Sequence, residues 1–81
     1  MRRSAISVVA NIVEGWARKT RKEKLNFYYT ARGSLTELEY YIDLSLKLNY
    51  LMDKQHNDLA EIRQDIGKLL QGLINSLVTN R

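Results

Sequence analysis

Eighty-one residues suffice for one small domain, and a chain of this length buries only about 60–65% of its unfolded surface. With no cysteine, neither a disulfide nor a thiolate metal site can supplement the core, which leaves helix packing and oligomerisation as sources of stability. The net charge of +4 is unevenly placed: residues 1–32 carry eight Lys or Arg against Glu14 and Glu23, whereas residues 33–81 carry five against seven acids. Such asymmetry points one end of the molecule toward a polyanion.

No apolar run approaches the roughly 18 residues needed to cross a bilayer. The start, MRRSAISVVANIVEG, has the two arginines and apolar follow-on of a signal peptide. However, Asn11 and Glu14 interrupt the apolar part and no small-residue cleavage site follows. The expectation is a soluble, cytoplasmic chain with no membrane partner.

The first predicted element is a helix over residues 4–16. Ile6, Val9, Val13 and Trp16 recur at helical spacing, widened by Ala5, Val8 and Ile12, and such a broad stripe suits contact from two sides. The β-branched content favours a strand, but adjacent apolar residues such as Val8-Val9 and Ile12-Val13 break strict alternation. Asn11 and Glu14 share a face, where a partly buried polar cluster would fix helix register. Arg18 stands four residues after Glu14, the favourable order for a helical ion pair. Gly15 is expected to mark where this helix loosens or ends.

The connection Arg18-Lys19-Thr20-Arg21-Lys22 has four cations in five positions, and Lys24 follows. Thr20 and Glu23 have capping-box spacing, so Thr20 is a candidate N-cap. Cations at a helix N-terminus are opposed by the macrodipole, a local conflict of the kind that can mark function; the plain reading is a solvated turn. Arg2 and Arg3 lie roughly 20 Å away, a helix length, and would form a separate patch. No aromatic alternates with these cations, so phosphate contact without base stacking is expected.

The second helix is predicted over residues 21–49, with Leu25, Tyr28, Ala31, Leu35, Leu38 and Ile42 on one face. Gly33 interrupts it at a cost of about 1 kcal/mol against Ala. Close approach of another backbone is the expected compensation, with Ser34 bonding back to a carbonyl one turn earlier. Asp53 is the expected N-cap of a third helix over residues 54–78, whose stripe is Leu59, Ile62, Ile66, Leu69, Leu73 and Leu77, broadened by Leu70 and Ile74. Gly67 and Gly72 fall on or beside that stripe, also consistent with close packing. The helix is expected to fray near Val78, leaving Thr79, Asn80 and Arg81 disordered. There is no internal repeat, linker or second domain, so residues 1–81 read as one all-α, antiparallel helical bundle.

Nothing in the sequence supports catalysis. The single histidine, His56, has no neighbouring nucleophile or metal-spaced carboxylate, and reads as a surface residue. Gly-rich phosphate loops, nucleophile elbows and HExxH patterns are missing. Glu37, Glu39 and Asp43 invite comparison with di-iron bundles, but those require Glu-x-x-His pairs, and this chain has none. The five tyrosines suit bundle edges or subunit interfaces. The expectation is a non-enzymatic protein with no cofactor and no metal.

Arg2-Arg3-Ser4-Ala5-Ile6-Ser7, Asn11-Ile12-Val13-Glu14-Gly15 and Ala31-Arg32-Gly33-Ser34-Leu35 with Glu37-Leu38-Glu39 resemble the four-helix bundle protein family of 23S ribosomal RNA gene intervening sequences. The accessory proteins of diversity-generating retroelements are similar. The resemblance covers nearly all of residues 2–52, and the last helix matches only in pattern. Asn11, Glu14, Gly15, Gly33, Ser34 and Glu37 are its structural motif positions.

It implies an antiparallel four-helix bundle that assembles as a homopentamer without established enzymatic activity. The retroelement relatives engage nucleic acid and a reverse transcriptase through a basic surface. Two departures stand out. Val9 occupies a position where many members have proline, and Met1 falls where a second helix would start. Three helices do not close a four-helix core, so a groove flanked by Ile6, Val9, Val13 and the last helix is expected to stay open. Truncation or a second chain would account for it.

Taken together, these features describe an oligomeric accessory or assembly factor. Arg2, Arg3, Arg18, Lys19, Arg21, Lys22 and Lys24 are its candidate contacts to RNA or DNA. The rival reading is a purely structural, self-associating bundle whose basic end is incidental.

Overall fold

A computed structural model describes residues 2–49 and 51–79. They form three helices, α1 (Arg2–Ala17), α2 (Arg21–Lys47) and α3 (Asp53–Thr79). The expected boundaries hold to within about two residues, the usual spread of helix ends. Thr79, expected to be disordered, is the last residue of α3; Asn80 and Arg81 lie outside the described residues.

Each junction has an identifiable cause. Thr20 is extended (φ −97°, ψ 150°) and its Oγ1 accepts the Glu23 backbone N–H at 3.2 Å, satisfying an orphan donor of α2 as expected. At the other end the Leu48 and Asn49 N–H groups donate to the Leu44 and Leu46 carbonyls. Asn49 takes φ 63°, a left-handed conformation that asparagine tolerates and that stops the helix two residues before its expected end. Asp53 is not the N-cap of α3 but its first residue. The Gln55 side chain instead reaches back to accept the Met52 N–H at 2.9 Å.

The central helix α2 packs against both others, while α1 and α3 scarcely meet. Its face is the one read from periodicity: Tyr28, Ala31, Leu35 and Ile42 are buried, and Leu25 and Leu38 are half-buried. Tyr28 and Ala31 join Leu70 and Ile74 of α3 in the core, with Ile12, Leu25, Leu73 and Leu77 packed around them. Burial pushes the Tyr28 phenol above its ordinary value. Far from being an edge contact, this tyrosine anchors the core at 2% exposure.

The inner faces of α1 and α3 differ from their expected stripes. On α1 the buried residues are Ser4, Val8 and Gly15, while Ile6, Val9, Val13 and Trp16 are 59–72% exposed. On α3, Leu70 and Ile74 are buried but Ile62 and Leu69 are exposed. The result is a shallow trough of 46 × 21 × 14 Å rather than a closed bundle. As expected, a groove stays open between α1 and α3, although of the three α1 residues expected to flank it only Val9 does, not Ile6 or Val13. It has a volume of about 520 Å³, a floor of Leu35, Leu38 and Ile42, and walls that include Val9 and Ile62.

The glycines are redistributed relative to expectation. Gly15 neither loosens nor ends α1, which continues to Ala17. It is instead a point of close helix approach, where an added Cβ would lie 2.6 Å from Tyr28 Cε1 and 3.1 Å from Phe27 Cβ. Gly33, expected to permit close packing, meets nothing within 4 Å, and neither does Gly72. An added Cβ at Gly67 would make only an ordinary contact with Leu35. α2 runs unbroken through Gly33.

A polar seam also joins α1 to α2. Ser4 Oγ donates to Glu37 Oε1 at 2.6 Å, and the Ser7 and Ser34 hydroxyls share a 2.8 Å hydrogen bond. Asn11 Nδ2 donates to the Ser7 carbonyl and hydroxyl at 2.8 and 3.2 Å. Both Asn11 bonds stay within α1, so the bonds that cross to α2 are Ser4–Glu37 and Ser7–Ser34, and not one from Asn11 as expected. Glu14 does not join this seam; it pairs with Arg18 on the surface. Ser34 bonds across to α1 rather than back along its own helix, and that back-bond is made by Thr30 and Thr36 instead.

Candidate nucleic-acid interface at the first turn

The basic segment forms the turn between α1 and α2 and the first turn of α2. Arg18 N–H donates to the Gly15 carbonyl at 3.2 Å, closing α1 before Thr20 opens α2. This compact reversal brings residues from the end of α1 beside the first two turns of α2.

Two of the candidate cations are engaged within the fold. Arg18 Nη2 lies 2.8 Å from Glu14 Oε2 and its Nη1 lies 3.9 Å from Glu23 Oε2, while its guanidinium stands 4.9 Å from the Phe27 ring centroid. Lys24 Nζ donates to the Gly15 and Trp16 carbonyls at 3.3 and 2.9 Å. It thereby satisfies C-terminal acceptors of α1, which has no basic residue of its own in that turn, and the macrodipole favours a cation there. The Arg18 pairs are exposed and contribute at most about 1 kcal/mol.

Lys19, Arg21 and Lys22 are exposed, and no acid of the described residues forms an ion pair with them. Arg2 and Arg3 are also exposed, at the far end of α1; Arg2 stands at the rim of the open groove. The structure thus separates two patches, as their spacing implied.

Although no aromatic alternates with these cations along the chain, two of the candidates, Arg18 and Lys24, stand beside aromatic rings in space. Lys24 Nζ lies 5.8 Å from the Trp16 ring centroid, Phe27 sits under Arg18, and Arg32 lies 4.9 Å from the Tyr29 centroid. Linear order hides the approach of Lys24 to Trp16, eight residues earlier in the chain.

At the opposite end of the molecule, His56 is a partly exposed surface residue, as expected, but one with a partner. Its side chain is 19% exposed and Nε2 lies 2.8 Å from Asp43 Oδ1, joining α3 to α2. That hydrogen bond, with lesser help from Asn57 and the Asp43 and Asp53 charges, raises the imidazole above its ordinary value against the opposing effect of desolvation. Arg63 and Glu39 make a second α2–α3 pair at 3.3 Å.

Among the described residues no cluster of three or more His, Asp or Glu could hold a metal ion, and no helix is long and apolar enough to cross a membrane. Neither a curated protein nor a solved structure matches the chain. The family model described as 23S rRNA-intervening sequence protein matches residues 1–72, and the chain belongs to that family.

Proposed function

We propose that this protein is a non-enzymatic, self-associating accessory or assembly factor that contacts nucleic acid through the α1–α2 turn. What supports the nucleic-acid contact is the set of Lys19, Arg21 and Lys22, three exposed cations with no acidic partner among the described residues. Long cationic side chains on a turn reach phosphates without rearrangement of the fold. Counterion release then supplies the affinity, with little preference among sequences. Arg18 and Lys24 shape this surface more than they bind, because their charged ends are occupied.

What supports self-association is the α1 face. Ile6, Val9 and Val13 are each about 60% exposed beside an apolar groove, and soluble monomers rarely leave apolar patches of this kind uncovered. A homopentamer is the assembly that the resemblance implies. A basic turn repeated around a symmetry axis would add modest phosphate contacts through avidity. A reverse transcriptase is the protein partner expected if the chain shares the role of the retroelement accessory proteins, and a cytoplasmic location accords with it.

The same exposed stripe favours a second reading, a purely structural bundle that self-associates with no nucleic-acid partner. Titrating RNA and DNA at increasing salt, alongside sedimentation at micromolar concentration, separates the two. The proposed function requires binding that weakens steeply with salt, by an assembled species. Association without binding at low salt leaves the structural bundle.

A further inference from the structure

The geometry points to Trp16 as a stacking platform for an unpaired base, which makes single-stranded nucleic acid the preferred ligand of the basic turn. This rests on the proposed nucleic-acid function and names the ligand class of that site.

Trp16 is 72% exposed, the most exposed aromatic side chain among the described residues. It continues the line of Ile6, Val9 and Val13, yet its surroundings differ from theirs. Lys24 Nζ lies 5.8 Å from its ring centroid and is held in place by the Gly15 and Trp16 carbonyls. These bonds place the cation beside the indole. Lys19, Arg21 and Lys22 follow within six residues on the same reversal. A shallow cleft of about 140 Å³ adjoins the ring, bounded by Lys24, Tyr28, Leu73, Ser76 and Leu77.

An exposed indole beside cations meets the two requirements of sequence-tolerant strand binding, a π-face for the base and positive charge for the backbone. Lys24 adds a charge next to the ring that a stacked base would also meet. Paired bases cannot reach Trp16 without unstacking, so a duplex engages the lysines and arginine alone.

Trp16 is the only tryptophan, so its fluorescence reports this contact directly. The experiment titrates the full-length protein with three probes at low salt: a short oligothymidylate, a duplex of equal phosphate number, and inorganic polyphosphate. Sedimentation is run in parallel. All three probes should bind, but only the single strand should quench Trp16 emission. Trp16→Ala should weaken single-strand binding about tenfold, as for loss of one base stack, with duplex and polyphosphate affinities unchanged. Trp16→Phe, which keeps a ring, should restore most of the difference.

Equal quenching by polyphosphate would assign the signal to Lys24 and overturn the inference. Unchanged single-strand affinity in Trp16→Ala would overturn it too, while leaving phosphate binding by the turn intact. A change of oligomeric state with no effect on strand binding would place Trp16 in a subunit contact instead. Failure of the parent to bind any of the three probes would remove the proposed function itself, and the inference with it.

Discussion

Gly15 of α1 lies against the ring of Tyr28 so closely that a Cβ would sit 2.6 Å from Cε1 and 2.9 Å from Cδ1. Tyr28 cannot swing away, because it is 2% exposed and shares the core with Ala31, Leu70 and Ile74. The missing side chain therefore sets the α1–α2 spacing at the end where the basic turn is built. Gly15→Ala should destabilise the fold by about 1–3 kcal/mol through overpacking, read as a lowered urea midpoint.

Gly33 should respond in the opposite direction. Nothing lies within 4 Å of its added Cβ, so Gly33→Ala should gain about 1 kcal/mol from helix propensity alone. Urea titration of the same protein checks both substitutions. Destabilisation by Gly33→Ala would mean that a neighbour from another chain packs there in solution.

That contrast shows where the sequence was legible. Three helices and the α2 face follow from apolar spacing, because α2 is buried by neighbours on that one face. The faces of α1 and α3 do not, since the strongest apolar line on α1, Ile6 to Trp16, points away from α2. The contact α1 makes uses Ser4 and Gly15 beside Val8, and hydropathy ranks the first two low. The choice between Gly15 and Gly33 depended on which backbone another helix approached, which no local pattern records. In the site, cation spacing located the turn, but the occupation of Arg18 and Lys24 depends on how that turn closes.

The polar seam should carry measurable stability. Ser4 is 3% exposed and its hydroxyl donates to Glu37 at 2.6 Å. Ser4→Ala should cost about 1 kcal/mol, discounted from the range for bonds to charged groups because Glu37 is solvent-exposed. A double-mutant cycle with Glu37→Gln isolates the pair. Strict additivity would show that the hydrogen bond contributes nothing.

The His56–Asp43 contact gives stability a pH dependence of defined sign. The folded imidazole titrates above its ordinary value of 6.5, so protonation favours the folded state. The contribution is complete below about 6.5 and is lost as pH rises through the raised folded value. Denaturation midpoints should fall between about pH 6 and pH 8, and Asp43→Asn should flatten that change. A rise over the same interval in the parent would contradict the assignment.

Self-association is tested on the α1 stripe. Val9→Glu with Val13→Glu introduces charge at two positions that are 61% and 60% exposed, where a folded monomer should tolerate it. Sedimentation should shift to a smaller species with helicity retained. An unchanged sedimentation coefficient would exclude this face from any subunit contact.

The most direct measurement of the central claim is the salt dependence of nucleic-acid binding for the parent and for a variant with Lys19, Arg21 and Lys22 all replaced by Gln. Arg18 and Lys24 are left in place because both are engaged within the fold. If the turn contacts phosphates, the slope of log affinity against log salt should flatten by about 0.9 for each duplex-DNA phosphate contact removed, with helicity and oligomer size unchanged. Identical slopes and affinities for the two proteins would contradict it.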